Sequence, residues 1–477
     1  MNKAFFFNVF KVVFSNGLML LSSIVVAFVL PKIMPIEEYG TYKEFTLYFS
    51  YAGILHLGFV DAIFIKYSAI KAKDVDKKEI RIYSFFFLLM QIALFILFLI
   101  ASIFIPASYR FFIIALAYGF FTANLTTYFQ YFSQAIERFN ELAIRNIIKA
   151  IITSLVVVVL WLLHSKGVLD IVSAKIYILC FLMTNTLLTL WYMFTYRKYL
   201  FTSLAAIRSN FKDIKKLFII GFPVMLAASV SNLILISDRQ FAVFFSSKEQ
   251  YAVYAFAYNI ATLIITLVSA VSIVFFPSLK KTNSSAQAKN YPKSLLYISI
   301  ISFSFGCFFL PVKIFIDHFL PKYSLSADYI FILMPAIFMN IVIATININY
   351  YKALSMNKRY LIVSIMVLVF AIVSNGLFYL FTKSLEGLSI ASVVTFSLWL
   401  LISTNDMRFR LRNDSVFPLV YIIIMTLSFY SAKIIGNQII SCVVYCAAWI
   451  LVSAAFILFV NRFRKKEDVS AYFARGY

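Results

Sequence analysis

The spacing of its basic residues constrains this chain more than any other feature. Fourteen long apolar stretches are separated by short polar ones, and Lys and Arg crowd every second gap. If each stretch crosses a bilayer, 32 of the 43 basic residues fall on one side and 11 on the other. A bias of this kind orients membrane helices, with the basic side in the cytoplasm. The stretches run over 9–30, 45–65, 83–106, 111–133, 148–164, 171–194, 217–238, 252–276, 294–316, 328–350, 360–381, 387–404, 416–434 and 438–460. Most have the ~17–25 residues that a helix needs to cross hydrocarbon. Removing any one would scramble the alternation that follows it. The expected fold is therefore all-α and polytopic, with about 14 transmembrane helices and both termini in the cytoplasm.

Composition agrees. Hydrophobic residues make up 62% of the chain and charged residues 13%, against roughly a quarter charged in a soluble protein. A surface fed by 54 Phe and 30 Tyr needs lipid rather than water. The net charge of +23 is spread over many loops, which argues against nucleic acid as a partner and for anionic lipid headgroups. No Gly-rich turn precedes a Lys–Ser/Thr pair, so ATP hydrolysis is not expected. No loop is long enough for an enzymatic domain. The longest, 195–216, has the Lys/Arg spacing of an interfacial amphipathic helix. The first stretch lacks a small-residue cleavage site and reads as a retained span. Cys180, Cys307, Cys442 and Cys446 lie in apolar stretches without His or acidic companions. They read as small interior residues, and no metal or other cofactor is expected.

An internal echo suggests how the chain is divided. The first span runs into PKIMPIEEYGTYKEF and the seventh into DRQFAVFFSSKEQYAVYAF. Both show a helix, a polar turn, an acidic residue, closely spaced Tyr residues and a new helix. Two parallel six-helix repeats would produce this. The expected domains are an N-terminal bundle over 1–205, a second over 206–412, and two further helices with a tail over 413–477.

Ionisable residues inside spans are costly unless paired or hydrated, so each is a candidate site. Asp61 lies in the second span and Lys66 ends it. Five residues apart, they stand about 140° apart on a helix, so Asp61 is expected to face the bundle and Lys66 to snorkel outward. Arg145, Asn146 and Lys149 mark the cytoplasmic start of the fifth span, beside Glu137, Arg138 and Glu141. This is either a solvated helix start or a site for an anionic headgroup, since Arg can engage two phosphate oxygens at once. Asp238 and Arg239 close the seventh span, with Arg239 among the few basic residues on the sparse side. His56 and His164 read as structural. Pro223 after Gly221, and Pro335 in the tenth span, are positions for kinks. Polar rows including Asn124, Gln130 and Asn347 suit either a hydrated cavity or hydrogen bonding between helices.

Four segments carry a family resemblance: EEYGTY, LGFVDAIFIKYSA, QAIERFNELAIRN and SDRQFAVFFSSKEQYAVYAFAYNI. With their order against the spans, they make the chain resemble the polysaccharide or O-antigen flippases of the multidrug/oligosaccharidyl-lipid/polysaccharide exporter superfamily. The resemblance implies two six-helix bundles around a central cavity, plus two C-terminal helices. It also implies alternating access that moves an undecaprenyl-pyrophosphate-linked oligosaccharide across the bacterial inner membrane. Arg145 and Lys149 would sit near loading, Arg239 near release, and Asp61 would serve ion coupling or hold basic residues. A sodium or proton gradient, or downstream consumption of product, would supply the energy. Partners would be the lipid-linked oligosaccharide, anionic lipids and a polymerase or glycosyltransferase. The rival readings are a multidrug or small-cation antiporter of the same superfamily and a peptidoglycan lipid-precursor flippase.

Overall fold

The computed structural model describes the backbone of residues 3–68, 70–280 and 282–473, and the side chains of 17–68, 70–268, 275, 279 and 282–460. Lys3, Lys11, Lys280, Lys281 and the basic residues from Arg462 onward lie outside the described side chains. Every regular element among the described residues is helical. The α-helices are α1 (Lys3–Ile33), α2 (Ile36–Phe49), α3 (Phe59–Tyr67), α4 (Lys77–Ile103), α5 (Ala107–Ala135), α6 (Phe139–Ser165), α7 (Ala174–Thr195), α8 (Leu204–Ser209) and α9 (Phe211–Phe245). They continue with α10 (Lys248–Lys280), α11 (Ser284–Ser304), α12 (Phe309–Phe319), α13 (Ser326–Val342), α14 (Ile348–Ala353), α15 (Asn357–Thr382), α16 (Leu385–Leu411), α17 (Val416–Ala432) and α18 (Gln438–Phe473). Twelve spans among the described residues are long and apolar enough to cross a membrane. A bent pair, Ile36–His56 with Phe59–Tyr67, would make a thirteenth, and Gly17–Ile33 within α1 is a shorter apolar helix. This is the polytopic, all-α architecture expected from the sequence. Lipid-facing stripes follow from it: Ile96, Leu97 and Ile100 on α4, and Val369 and Val373 on α15, are large, apolar and exposed.

The second span, drawn from the sequence over 45–65 and punctuated there by Gly53 and Gly58, is interrupted in the structure. It breaks where Leu57 (φ 50°) and Gly58 (φ 80°) both take left-handed conformations, which no α-helix passes through. The helical segments on either side meet at 59°. Gly58 is needed there for a second reason. Its backbone lies against that of Gly221 on α9, so close that a Cβ on either residue would overlap the other's backbone. By contrast, α9 continues as helix through Pro223.

The chain forms two compact units, Met1–Ala255 and Phe256–Tyr477. In the first, α1 packs along α6, and α5 packs against α3, α4 and α7. Without water to expel, helices in lipid associate through close packing, and aromatic rings supply it here. Phe59 stacks on Phe87 at 5.6 Å, and Phe87 on Tyr128 at 4.9 Å. Phe129 stacks on Tyr196 at 5.6 Å. In the second unit α13 is buried nearly all round and packs against α11 and α16, while α17 pairs with α18. A π-helical turn, Ile343–Asn347, joins α13 to α14. Such turns insert one residue into the helical ladder and often mark functional positions.

Candidate functional site

The break at Leu57–Gly58 shapes a polar cavity of about 230 Å³ within the first unit. The short helical turn Ala52–His56 lines it with α3, α5 and α9. Ser50, Tyr51, His56, Asp61, Thr127, Tyr131, Ser229 and Asn232 supply the polar wall. Asp61 is the third residue of α3, so the break sets its direction. Its side chain is 15% exposed, and its Oδ2 stands 3.8 Å from Nδ1 of His56. That nitrogen accepts a hydrogen bond of 3.2 Å from the N–H of Gly58. It therefore carries no proton, and the imidazole is the neutral Nε2–H tautomer. The Oδ2 of Asp61 is buried and has no hydrogen-bond partner. Lys66 does not snorkel freely: it pairs with Glu79 and donates to the Tyr83 hydroxyl at 2.9 Å. Tyr67 donates to the same carboxylate at 2.9 Å.

A second cluster lies farther along α9. Asp238 is 1% exposed. It accepts from the Tyr254 hydroxyl at 2.8 Å and from the N–H of Arg239 at 2.7 Å. Arg239 donates through Nη2 to the carbonyl of Leu235 at 3.2 Å. The next residue, Gln240, accepts from Tyr51 at 2.6 Å and donates to Tyr48 at 3.3 Å. Tyr51 also lines the cavity, so a hydrogen-bonded chain connects the cavity wall to the residue beside Arg239.

Arg145 on α6 is only 3% exposed. Its guanidinium pairs with Glu141 at 3.3 Å, donates to Thr195 at 2.7 Å and lies 4.1 Å from the Tyr192 ring centre. Glu141 also takes Arg138 at 3.1 Å and the Tyr196 hydroxyl at 3.0 Å. Asn146 and Lys149, on the same helix, are half-buried. Asn124 is buried and donates to Gln91 at 3.0 Å, and Gln130 is half-buried. Asn347 belongs to the second unit and is fully enclosed. Tyr291 donates to its Oδ1 at 2.8 Å, and its Nδ2 donates to Ser403 at 2.6 Å. Nearby, Asp406 is gripped by both Arg359 donors, at 2.7 and 2.8 Å, and by Tyr351 at 2.7 Å.

The structure thus places Asp238 beside Arg239 and brings Gln130 and Arg145 together at Tyr192; Asn146 and Lys149 share α6 with Arg145, and Asp61, Asn124 and Asn347 lie in places of their own. The sequence reading missed Tyr51, Tyr131, Ser229 and Asn232. The signal for the last two was present: Ser229, Ser231, Asn232 and Ser237 interrupt an otherwise apolar helix. Among the described residues no group of three or more His, Cys, Asp or Glu is placed to hold a metal ion.

A family model described as "Polysaccharide biosynthesis protein" matches residues 6–283. No curated protein matches the sequence. Among solved structures, the chain is similar to the lipid II flippase MurJ in an inward closed conformation, with a TM-score of 0.69 at 14% identity. That similarity covers 96% of this chain and 99% of the other. An inward-facing multidrug resistance transporter of the MATE family and MOP superfamily gives 0.57 at 15% identity, covering 83% and 94%. A MOP superfamily transporter from Pyrococcus furiosus gives 0.54 at 15% identity, covering 85% and 96%. These likenesses establish a shared fold.

Proposed function

The chain belongs to the polysaccharide biosynthesis protein family, and on that premise we propose that it is a flippase that carries a lipid-linked saccharide across the membrane by alternating access. The family match over residues 6–283 carries the reading. The physics suits such a cargo: its lipid tail stays in hydrocarbon while only the polar head needs a wet path. The protein must then supply hydrogen-bonding side chains within the membrane and a cation to meet the diphosphate. The first unit offers the polar cavity at Asp61 and, one hydrogen-bonded chain away, the neighbourhood of Arg239. We assign Arg239, held beside Asp238, to the diphosphate. Lys149 and Asn146 meet the headgroup on the basic side, with Arg145 as the positioning residue that fixes α6 against α7. Asn124 and Gln130 belong to the polar row along α5, and Asn347 to packing of the second unit.

An undecaprenyl-pyrophosphate-linked O-antigen unit was the cargo expected from the sequence. The end-to-end likeness to a lipid II flippase weighs toward a peptidoglycan lipid precursor instead. The multidrug reading rests on a likeness that covers less of this chain. The proposed location is the bacterial inner membrane, with both termini in the cytoplasm.

Depletion of the protein in its native cell tests the reading. Lipid-linked saccharide should accumulate on the cytoplasmic leaflet, and the chemistry of the accumulated headgroup identifies the cargo. Unchanged levels of every such lipid would remove the proposal.

A further inference from the structure

We propose that Cys307 and the pair Cys442 and Cys446 on α18 form a modification site, where exchange with a small disulfide ties α18 covalently to the joint between α11 and α12. The seam between α11 and α18 sets the register. Cys442, Tyr445 and Trp449 follow at helical spacing along one side of α18, and each donates to a backbone carbonyl across the seam. Trp449 reaches Ile300 at 3.0 Å, Tyr445 reaches Phe303 at 2.8 Å, and the Cys442 thiol reaches Cys307 at 3.6 Å. The two helices therefore run antiparallel and are pinned at three successive points. Past Ser304, the short helical turn Phe305–Phe308 carries the chain from α11 into α12. At Gly306 a Cβ would run into the Tyr445 ring, so the close approach needs glycine there. Three thiols meet at this end of the seam: Cys446 is hydrogen-bonded to the thiols of both Cys307 and Cys442. The remaining cysteine, Cys180, lies on α7 in the first unit.

Geometry selects the pairing. Cys442 and Cys446 stand one turn apart on the same helix, with Cβ atoms ~5–6 Å apart, whereas a disulfide needs ~3.5–4.5 Å. A link between those two is disfavoured, and Cys307 supplies the partner from across the seam. The cluster is also reachable. All three thiols are half-buried, and Cys442 lines a cavity of about 210 Å³ whose wall carries Lys313, Lys433, Gln438 and Ser441. Those polar groups admit water and a small solute. Cys442 and Cys446 lie in the first three turns of α18, at the end where Lys and Arg are sparse. By the basic-residue rule that end faces outward, where disulfides persist. The Cys442 thiolate attacks one sulfur of the reagent RSSR, which breaks its S–S bond and expels RS⁻. The Cys307 thiolate then attacks the Cys442 sulfur, forms the Cys307–Cys442 bond and expels the second RS⁻. The two protein protons leave on the two RSH released, so two thiols are oxidised and one reagent disulfide is reduced. Cys446 can exchange into the link and free Cys442 again. None of these steps depends on the flippase reading.

Disulfide mapping of the purified full chain in neutral detergent provides the measurement. The protein is incubated with cystamine at mildly alkaline pH, where thiols ionise, then denatured, alkylated with N-ethylmaleimide and mapped by peptide mass. Of the four cysteines, two should escape alkylation, with the Cys307 peptide joined to the α18 peptide inside one chain. Dithiothreitol should restore both thiols. Cys307→Ser should form no internal link under the same treatment. Should that variant fail to fold, Cys442→Ser combined with Cys446→Ser removes the partners from the other helix and should abolish the link equally. A wild-type protein that keeps all its thiols, or carries only cystamine adducts or links between chains, would overturn the proposal. So would an internal link retained in Cys307→Ser, or a link that forms as readily in sodium dodecyl sulfate, where the seam no longer aligns the thiols.

Discussion

At the scale of single residues, the same side-chain type plays different roles according to what surrounds it. Arg145 was a candidate for an anionic headgroup, yet its donors meet Glu141 and Thr195 and its plane covers Tyr192. Removing it takes one of three partners from a partly buried carboxylate, which keeps Arg138 and Tyr196, and opens the α6–α7 seam. Arg145→Ala is expected to cost about 2 kcal/mol of stability, with Arg145→Lys recovering part of the charge but not the ring contact. Denaturant unfolding in detergent measures this. Arg239→Ala should instead leave the unfolding midpoint near wild type and slow transport. Asn347 is fully hydrogen-bonded by Tyr291 and Ser403. Asn347→Leu leaves both hydroxyls without that partner and should destabilise by roughly 1–3 kcal/mol. A neutral effect on stability with lost transport would make it a recognition residue instead. Sequence could propose these positions from polarity alone. It could not sort them, because the sorting depends on partners 50 or more residues away, such as Thr195 for Arg145 and Tyr291 for Asn347.

At the scale of elements, the most informative event is the break in the second span. Gly53 and Gly58 punctuate the second span in the sequence, but the left-handed turn and the angle of the break are not legible there. The break follows from two consecutive left-handed residues and from the approach of Gly221. The glycines of two distant helices make one contact, and neither sequence segment announces the other. Gly221→Ala places a methyl group against the Gly58 backbone. It should lower the unfolding midpoint by several degrees, whereas Gly17→Ala, with no neighbouring atom within 4 Å, should not. Equal effects would mean that the α3–α9 approach contributes little. Pro223 was a position for a kink, and α9 accommodates it within one continuous helix. Proline inside a long membrane helix is tolerated when neighbouring groups satisfy the freed carbonyl.

At the scale of the whole molecule, the alternation of Lys and Arg made the all-α polytopic fold legible. Hydropathy and loop charge depend on local sequence, so a single chain displays them directly. The cavity was not legible in this way. Its wall comes from residues 50–61, 127–131 and 225–233, brought together by helix packing that no local pattern encodes. The central claim is movement of a lipid-linked saccharide between leaflets. The direct measurement reconstitutes the protein in vesicles that hold such a lipid in both leaflets, and adds a membrane-impermeant enzyme that cleaves its headgroup. The enzyme should reach only the outer half of the lipid in empty vesicles and nearly all of it when the protein is present, with Arg239→Ala slowing the second phase. If the inner half stays protected with the intact protein, for lipid II-type and O-antigen-type headgroups alike, the account is wrong.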